Sequence, residues 1–122
     1  MMSQCVRILT FNCGLLRFSI QKKSLFVFTP HVEERFAALA SQVSAVDADV
    51  VALQEVYEPE HKARLVNALA SQYPFHFASF ADGHRLRFPP GLLVFSRAPI
   101  RECAFHAFYA AMPDEHLIAR SE

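Results

Sequence analysis

Two side chains sit where chemistry is easiest to build. Asn12 follows the mostly apolar run Cys5-Val-Arg-Ile-Leu-Thr-Phe11, and Glu55 follows Val50-Val-Ala-Leu-Gln54. Val6, Ile8, Leu9 and Phe11 make residues 5–12 a strand, and the continuous run Val50 to Leu53 reads as a strand buried on both faces. In α/β sheets, ligands bind beyond the carboxyl ends of such strands, where side chains are held rigidly and solvent enters. There a Glu offers hard oxygens to Mg²⁺, which binds few carboxylates and keeps waters and substrate phosphate as its other ligands. An Asn beside it donates to a phosphoryl oxygen while its carbonyl accepts from a water. Taken alone, a strand-terminal Glu is more often a surface or capping residue, and Asn before Cys-Gly more often a turn former.

The elements that must hold this pair in place are legible from pattern. Gly14 breaks the first strand. Residues 15–29 mix apolar residues with Arg17, Lys22 and Lys23 without a clean period, which predicts a loop with a short extended piece at 24–28. Thr29-Pro30 then starts a helix, because Thr caps and Pro suits the first helical position. Glu33 and Glu34 sit in its first turn, where the helix dipole favours anions. Val32, Phe36, Leu39, Val43 and Val46 recur at spacings of three and four, the apolar stripe of an amphipathic helix ending near Asp47. Pro59 opens a second helix with Leu65, Leu69 and Gln72 on one side, ending at Tyr73-Pro74. Residues 75–80, 91–96 and 100–109 read as three further strands, with a loop at 82–90 and a turn at Ala98-Pro99. The order β-α-β-α-β-β-β is an α/β pattern with a mixed sheet.

Composition narrows the function classes. The chain has 122 residues, 52% hydrophobic and 20% charged, with twelve Phe and no Trp, so it is globular and rich in core material. That much apolar surface suits a larger domain, or a half that meets a partner. Twelve basic and twelve acidic side chains cancel, so the broad basic field of a dedicated nucleic-acid binder is missing. No apolar run is long enough for a transmembrane helix. The N-terminus lacks the charged, apolar and small-residue order of a signal peptide. Cys5, Cys13 and Cys103 are three, far apart and not in CxxC spacing, which predicts three free, buried thiols in a reducing cytoplasm rather than a zinc site or a disulfide framework.

Thr10-Phe-Asn12, then Asp47-Ala-Asp-Val-Val-Ala-Leu-Gln-Glu-Val56, then Gly91-Leu-Leu-Val-Phe-Ser-Arg-Ala-Pro-Ile100, resembles the endonuclease/exonuclease/phosphatase superfamily. The nearest likeness is to its bacterial neutral-sphingomyelinase-like branch, and it covers most of residues 5–108. The resemblance implies that Glu55 is the metal-binding Glu and that Asn12 lies near both metal and phosphate. Mg²⁺ is the implied cofactor, and a phosphodiester (lipid headgroup, nucleic acid or small phosphate ester) the implied substrate. The implied fold is a four-layer α-β-β-α sandwich of the DNase-I-like kind, roughly 250 residues in one domain. Residues 1–122 would then be the N-terminal part of a truncated domain, half of that sandwich. Ser96 and Arg97 match a recurring strand end and are assigned a structural role.

This chain departs from the family in its second half. A His on a Thr-His-type strand, an Asp-x-Asn pair and a closing Ser-Asp-His have no match here. Without the Asp–His general base, worth roughly 10²–10⁴ in rate, the chain alone is expected to show no appreciable hydrolysis. The rival expectation is a non-catalytic half-fold that binds a C-terminal half, or a second copy, through an exposed sheet face. The remaining candidates read more plainly. His76 and His106 lie on strands as surface or satisfied interior groups. His84, Arg85 and Arg87 form a solvated loop, although they could meet a phosphate. Lys22 and Lys23 belong to a loop over the core, although they could touch lipid headgroups.

Overall fold

The computed structural model describes residues 5–15, 17–20, 23–27, 31–78 and 91–104. The elements in order are β1 (Ile8–Leu15), β2 (Arg17–Ile20), β3 (Lys23–Val27), α1 (Val32–Val46), β4 (Val50–Val56), α2 (Pro59–Leu69), β5 (Phe75–Ala78) and β6 (Leu93–Ser96). Four of the strands form one sheet in the order β1-β4-β6-β5, and β2 and β3 pair as a separate antiparallel hairpin. The hairpin is the first departure from pattern. Residues 15–29 carry no clean period because a two-stranded ribbon need not bury one face continuously; the extended piece expected at 24–28 is β3, and β2 stands where only a loop is expected. Lys23 begins β3, whereas Lys22, Thr29 and Pro30, the loop at 82–90 with His84, Arg85 and Arg87, and His106 lie outside the described residues.

β4 is the hub of the sheet. It pairs in parallel with β1, Ile8 opposite Val50 through Asn12 opposite Gln54, and antiparallel with β6, Val50 opposite Ser96 through Leu53 opposite Leu93. Parallel neighbours need a long crossover, here the hairpin and α1. The helix runs as its stripe requires. Val32, Phe36, Leu39 and Val43 are buried, while Val46, at the frayed last turn, is 51% exposed. His31 takes the N-cap position and Asp47 closes the helix, both in left-handed conformation. α2 buries Leu65 and Leu69. Gln72 lies just past its end, where Ser44 Oγ donates to the Gln72 side chain at 2.6 Å.

Both helices pack on one face of the sheet. Their apolar residues form a single core with Cys13, Leu15, Val51, Leu53, Val56, Leu93 and Phe95. Tyr73, fully buried, donates its hydroxyl to Ala48 O at 2.9 Å and so ties the end of α2 to the entry of β4. The expectation that β4 is buried on both faces is corrected. Val51 and Leu53 are buried, whereas Val50, Ala52 and Gln54 between them are only partly covered. The face away from the helices therefore carries Ile8, 69% exposed, and Phe75, 36% exposed, beside Val50, Ala52 and Val94. A further expectation fails in part, since residues 100–104 have no strand structure and 105–109 lie outside the described residues.

An electrostatic clamp closes the entry end of β4. Asp49 accepts from Arg7 N–H at 2.8 Å and from Arg97 Nη1 at 3.4 Å, and Asp47 pairs with both Arg7 and Arg97. Arg97 N–H also donates to Asp49 O at 3.1 Å. Arg97 thus has a structural partner set, and Ser96 Oγ accepts from Ala98 N–H to shape the turn that follows. The hydrogen bond from Arg97 first, then that from Arg7, holds the Asp47 carboxyl below its usual 3.8. These side chains are well solvated, so the clamp aligns strands more than it stabilises them.

Two buried groups give stability a pH dependence of known sign. Burial pulls the Lys62 ammonium down to about 8 from the usual 10.5. The unfolded chain then holds that proton more tightly, so stability rises as pH increases from about 8 toward 10.5, and the penalty is full below 8. Cys13 acts in the opposite sense: burial pushes its thiol up to about 12 from 9.0, so stability falls once unfolded thiols ionise above pH 9. Between pH 7.5 and 9 the lysine dominates. We expect the urea midpoint to rise over that interval and Lys62→Met to remove most of the rise; a flat wild-type profile contradicts the burial argument.

Candidate active site

Asn12 and Glu55 come together because β1 and β4 are parallel and end on the same edge. Asn12 is the direct partner of Gln54, and Glu55 is the next residue. Neither closes its strand as the apolar runs imply: β1 continues to Leu15 and β4 to Val56. The register breaks between these points instead. Asn12 opposes Gln54 and Leu15 opposes Val56, three steps on one strand against two on the other. Gly14 at φ 58° and Glu55 at φ 59° take up the mismatch in left-handed conformations. Leu53 and Val56, three apart, are both buried, so the turn at Glu55 absorbs one residue of the alternation. A bulge of this kind re-aims side chains, and bulges concentrate beside active sites.

Each half of the pair is held differently. Asn12 is exposed, and its Oδ1 accepts from Gly14 N–H at 2.8 Å. That closed turn fixes the side chain and leaves its NH₂ to donate outward. Glu55 is half-buried, and among the described residues no hydrogen bond or ion pair engages its carboxylate. Behind it, Val56 N–H donates to Gly91 O at 2.9 Å. Gly91 has no room for a side chain, since a Cβ there would lie 2.8 Å from the Tyr57 ring and 3.2 Å from Glu55 Cα. Gln54 Nε2 donates to Thr10 Oγ1 at 3.0 Å and to Ala52 O at 3.2 Å, cross-linking the two strands below the pair. Pattern reading overlooked Gln54 and Thr10. Their only sequence signal is a polar residue at matching positions of two apolar runs.

Among the described residues, the charges that act on Cys13 in the bulge are those of Arg35 and Glu55. Cys13 lies between them: desolvation raises its thiol pKa most, the Arg35 charge opposes that rise and the Glu55 charge adds to it. Arg35 aims its donors at backbone, Nη2 to Cys13 O at 2.7 Å and Nη1 to Gly14 O at 3.1 Å. The Glu55 carboxylate is therefore left without a neutralising cation among the described residues. This donor set suits one kind of group. A single unpaired carboxylate beside an amide fits Mg²⁺, which completes its shell with water and phosphate. It does not fit zinc, which takes three or four nitrogen or sulfur ligands, and no group of three or more His, Cys, Asp or Glu gathers among the described residues.

The other sequence candidates lie apart from this centre. His76 is an exposed residue of β5 opposite Phe95, two strands from β4 and level with its entry end. His61, by contrast, is buried in α2, stacked on Phe36 at 4.4 Å with its Nε2 3.5 Å from Glu33 Oε1. It joins the helices and does not reach the bulge.

Residues 9–121 match the family model described as the endonuclease/exonuclease/phosphatase family. The chain belongs to that family. No curated protein matches it in sequence, so the finer likenesses come from structure. One is to SmcL, with TM-score 0.65 and 21% identity, over 92% of this chain and 39% of that one. Another is to a beta toxin 275–280 structure from Staphylococcus aureus, with TM-score 0.68 and 13% identity, over 93% and 42%. A beta-hairpin deletion mutant of the same toxin gives 0.62 and 15%, over 82% and 38%. The chain thus spans about two fifths of the length of these structures. At such identities they show the fold, which is the DNase-I-like mixed α/β arrangement, one sheet and its helices.

The left-handed backbone at Glu55 carries a stability signature. A side chain with a Cβ costs roughly 1–2 kcal/mol in that region, whereas glycine adopts it freely. At an ordinary strand position glycine is the weaker residue by roughly 0.5–1 kcal/mol relative to alanine. Here the order should invert, with Glu55→Gly more stable than Glu55→Ala by about 1 kcal/mol in urea unfolding. The usual order would mean that Glu55 is not held left-handed.

Proposed function

We propose that this chain supplies the metal- and phosphate-binding portion of a Mg²⁺-dependent phosphodiester or phosphate-ester hydrolase. The observation that carries the proposal is the bulge. It places a half-buried carboxylate, with no ion pair or hydrogen bond among the described residues, one residue beyond the direct strand partner of a fixed amide. When bound, Mg²⁺ would supply Lewis-acid polarisation of a phosphoryl oxygen and charge neutralisation. Glu55 would hold the ion with one carboxylate. The NH₂ of Asn12 would donate to a phosphoryl oxygen, and Oδ1 keeps a second lone pair for the metal side. Gln54 and Thr10 fix the spacing of the strands that carry them.

Substrate follows from family chemistry at a coarse level only: a phosphodiester from a lipid headgroup, a nucleic acid or a small phosphate ester. The neutral-sphingomyelinase-like motifs of the sequence favour the first. Zero formal charge counts against the second. No helix among the described residues is long and apolar enough to cross a membrane, so lipid would be met at its surface. A cytoplasmic location remains a proposal resting on the three free thiols, of which only Cys13 is buried as expected, Cys5 and Cys103 being exposed.

Residues 1–122 alone should bind Mn²⁺, a spectroscopic stand-in for Mg²⁺, yet turn over a phosphodiester no faster than buffer containing the metal. Asn12 and Glu55 serve binding and polarisation, and neither is placed as a general base. Water-proton relaxation with Mn²⁺ should show one site, weakened at least tenfold in Glu55→Gln. Equal affinity in wild type and variant would refute the assignment of Glu55. Substantial Mg²⁺-dependent turnover by the chain alone would refute its inactivity.

A second reading is favoured by the sheet face away from the helices, where Ile8 and Phe75 stand exposed. That surface can bind a C-terminal half or another copy of the chain. Sedimentation of the pure protein should give a defined oligomer that Ile8→Lys with Phe75→Lys converts to monomer; a stable monomer with the wild-type face leaves this reading without support.

A further inference from the structure

The bulge that presents Asn12 has a clamp of its own. Arg35 lies on α1, and its guanidinium reaches across to β1 with two donors, at 2.7 Å to Cys13 O and 3.1 Å to Gly14 O. These are the two residues between Asn12 and Leu15, where the register shifts. Here one rigid fork engages two carbonyls at the point where the register shifts. Gly14 is fitted to the fork: a Cβ on it would lie 2.7 Å from Arg35 Nη2, at a φ of 58° that already disfavours a side chain. The same Gly14 amide donates to Asn12 Oδ1. A continuous chain of contacts therefore runs from the helix through the bulge to the amide group of Asn12.

We propose that Arg35 is the positioning residue of this site: by clamping the carbonyls of Cys13 and Gly14 it fixes the turn that orients Asn12 beside Glu55. The inference rests on the metal- and phosphate-binding assignment of that pair, and it extends the site to a residue that touches neither ligand. Lysine cannot replace arginine here, because an ammonium presents a point charge and no planar fork. The charge itself would work against the function. A cation near a metal site repels the ion, so a merely electrostatic Arg35 would weaken metal binding, and its removal would strengthen it. A positioning Arg35 has the opposite sign.

The site is open to chemical rescue. Arg35 helps line a cavity of about 320 Å³ between α1 and β1, together with Phe11, Leu15 and Gln42. A guanidinium ion can enter there. The test uses the whole chain and compares wild type with Arg35→Gln, Arg35→Lys and Arg35→Ala. The first readout needs no metal: hydrogen exchange of the Gly14 amide against that of Val56, which Gly91 holds. The second is Mn²⁺ affinity by water-proton relaxation.

In all three variants we expect Gly14 exchange to accelerate at least tenfold while Val56 changes little. We also expect Mn²⁺ affinity to fall about tenfold, as for outer-shell partners of metal ligands. Millimolar guanidinium should restore both in Arg35→Ala. Unchanged Gly14 exchange, or tighter Mn²⁺ binding in Arg35→Gln, overturns the proposal. A general loss of protection at Val56 and Gly14 alike, unrescued by guanidinium, also overturns it and makes Arg35 a stability residue. If Gly14 responds and is rescued but wild type binds no Mn²⁺, the clamp on Asn12 stands and the metal assignment of Glu55 fails.

Discussion

The parallel pairing of β1 with β4, and the register break at its far end, is the constraint from which the rest of this structure follows. Parallel strands deliver their carboxyl ends to one edge, so Asn12 and Glu55 arrive together from positions over forty residues apart. Regular pairing would keep Val56 off the core face. The left-handed turn at Glu55 returns Val56 to the interior, where it meets Leu15, which stays in phase two residues after buried Cys13. The conformational cost falls on two positions, one a glycine and the other the acidic residue itself. Strain of this sort persists only where the surroundings over-determine it, and Tyr57, Gly91 and the Arg35 fork supply those surroundings.

The two ends of β4 are built for different purposes. At its start, charges are cancelled: Asp47 pairs with Arg7 and Arg97, and Asp49 pairs with Arg97. At its finish no cation among the described residues pairs with Glu55, while Arg35 spends its donors on carbonyl oxygens. Neutralised charge aligns strands, and unneutralised charge is available to a ligand. The core between these ends is continuous, so the open end is mounted on rigid material.

Much of this was legible in the sequence, for identifiable reasons. The α1 stripe and Pro59 mark both helices because the helical period is long and repeated. The Leu-Gln-Glu segment marks a candidate site through its match to the family motif, since a strand-terminal acid alone is common on surfaces. Of the hairpin, β3 answers to the extended piece expected at 24–28, whereas β2 is not legible, since an isolated ribbon writes no periodic signature. The bulge was missed as well. Gly14 reads as a breaker when it is in fact a turn within a strand, and nothing in the letters says that Glu55 adopts a glycine-like conformation. Long-range partners such as Arg35 with Cys13 and Gly14, or Lys62 buried in α2, depend on tertiary placement that local pattern does not encode.

Because β4 pairs with β1 on one side and β6 on the other, its two neighbours appear at different moments of synthesis. When Val56 leaves the ribosome, β1 already exists and β6 does not. The 37 residues from Val56 to Leu93 take roughly two to eight seconds at ordinary elongation speeds. Throughout that interval the central strand of the sheet is an edge strand, with Val51 and Leu53 facing the core and a row of unpaired amides alongside. The nascent chain thus passes through a stage at which its future hub is its stickiest border, and α2, emerging meanwhile, is the element able to shield it.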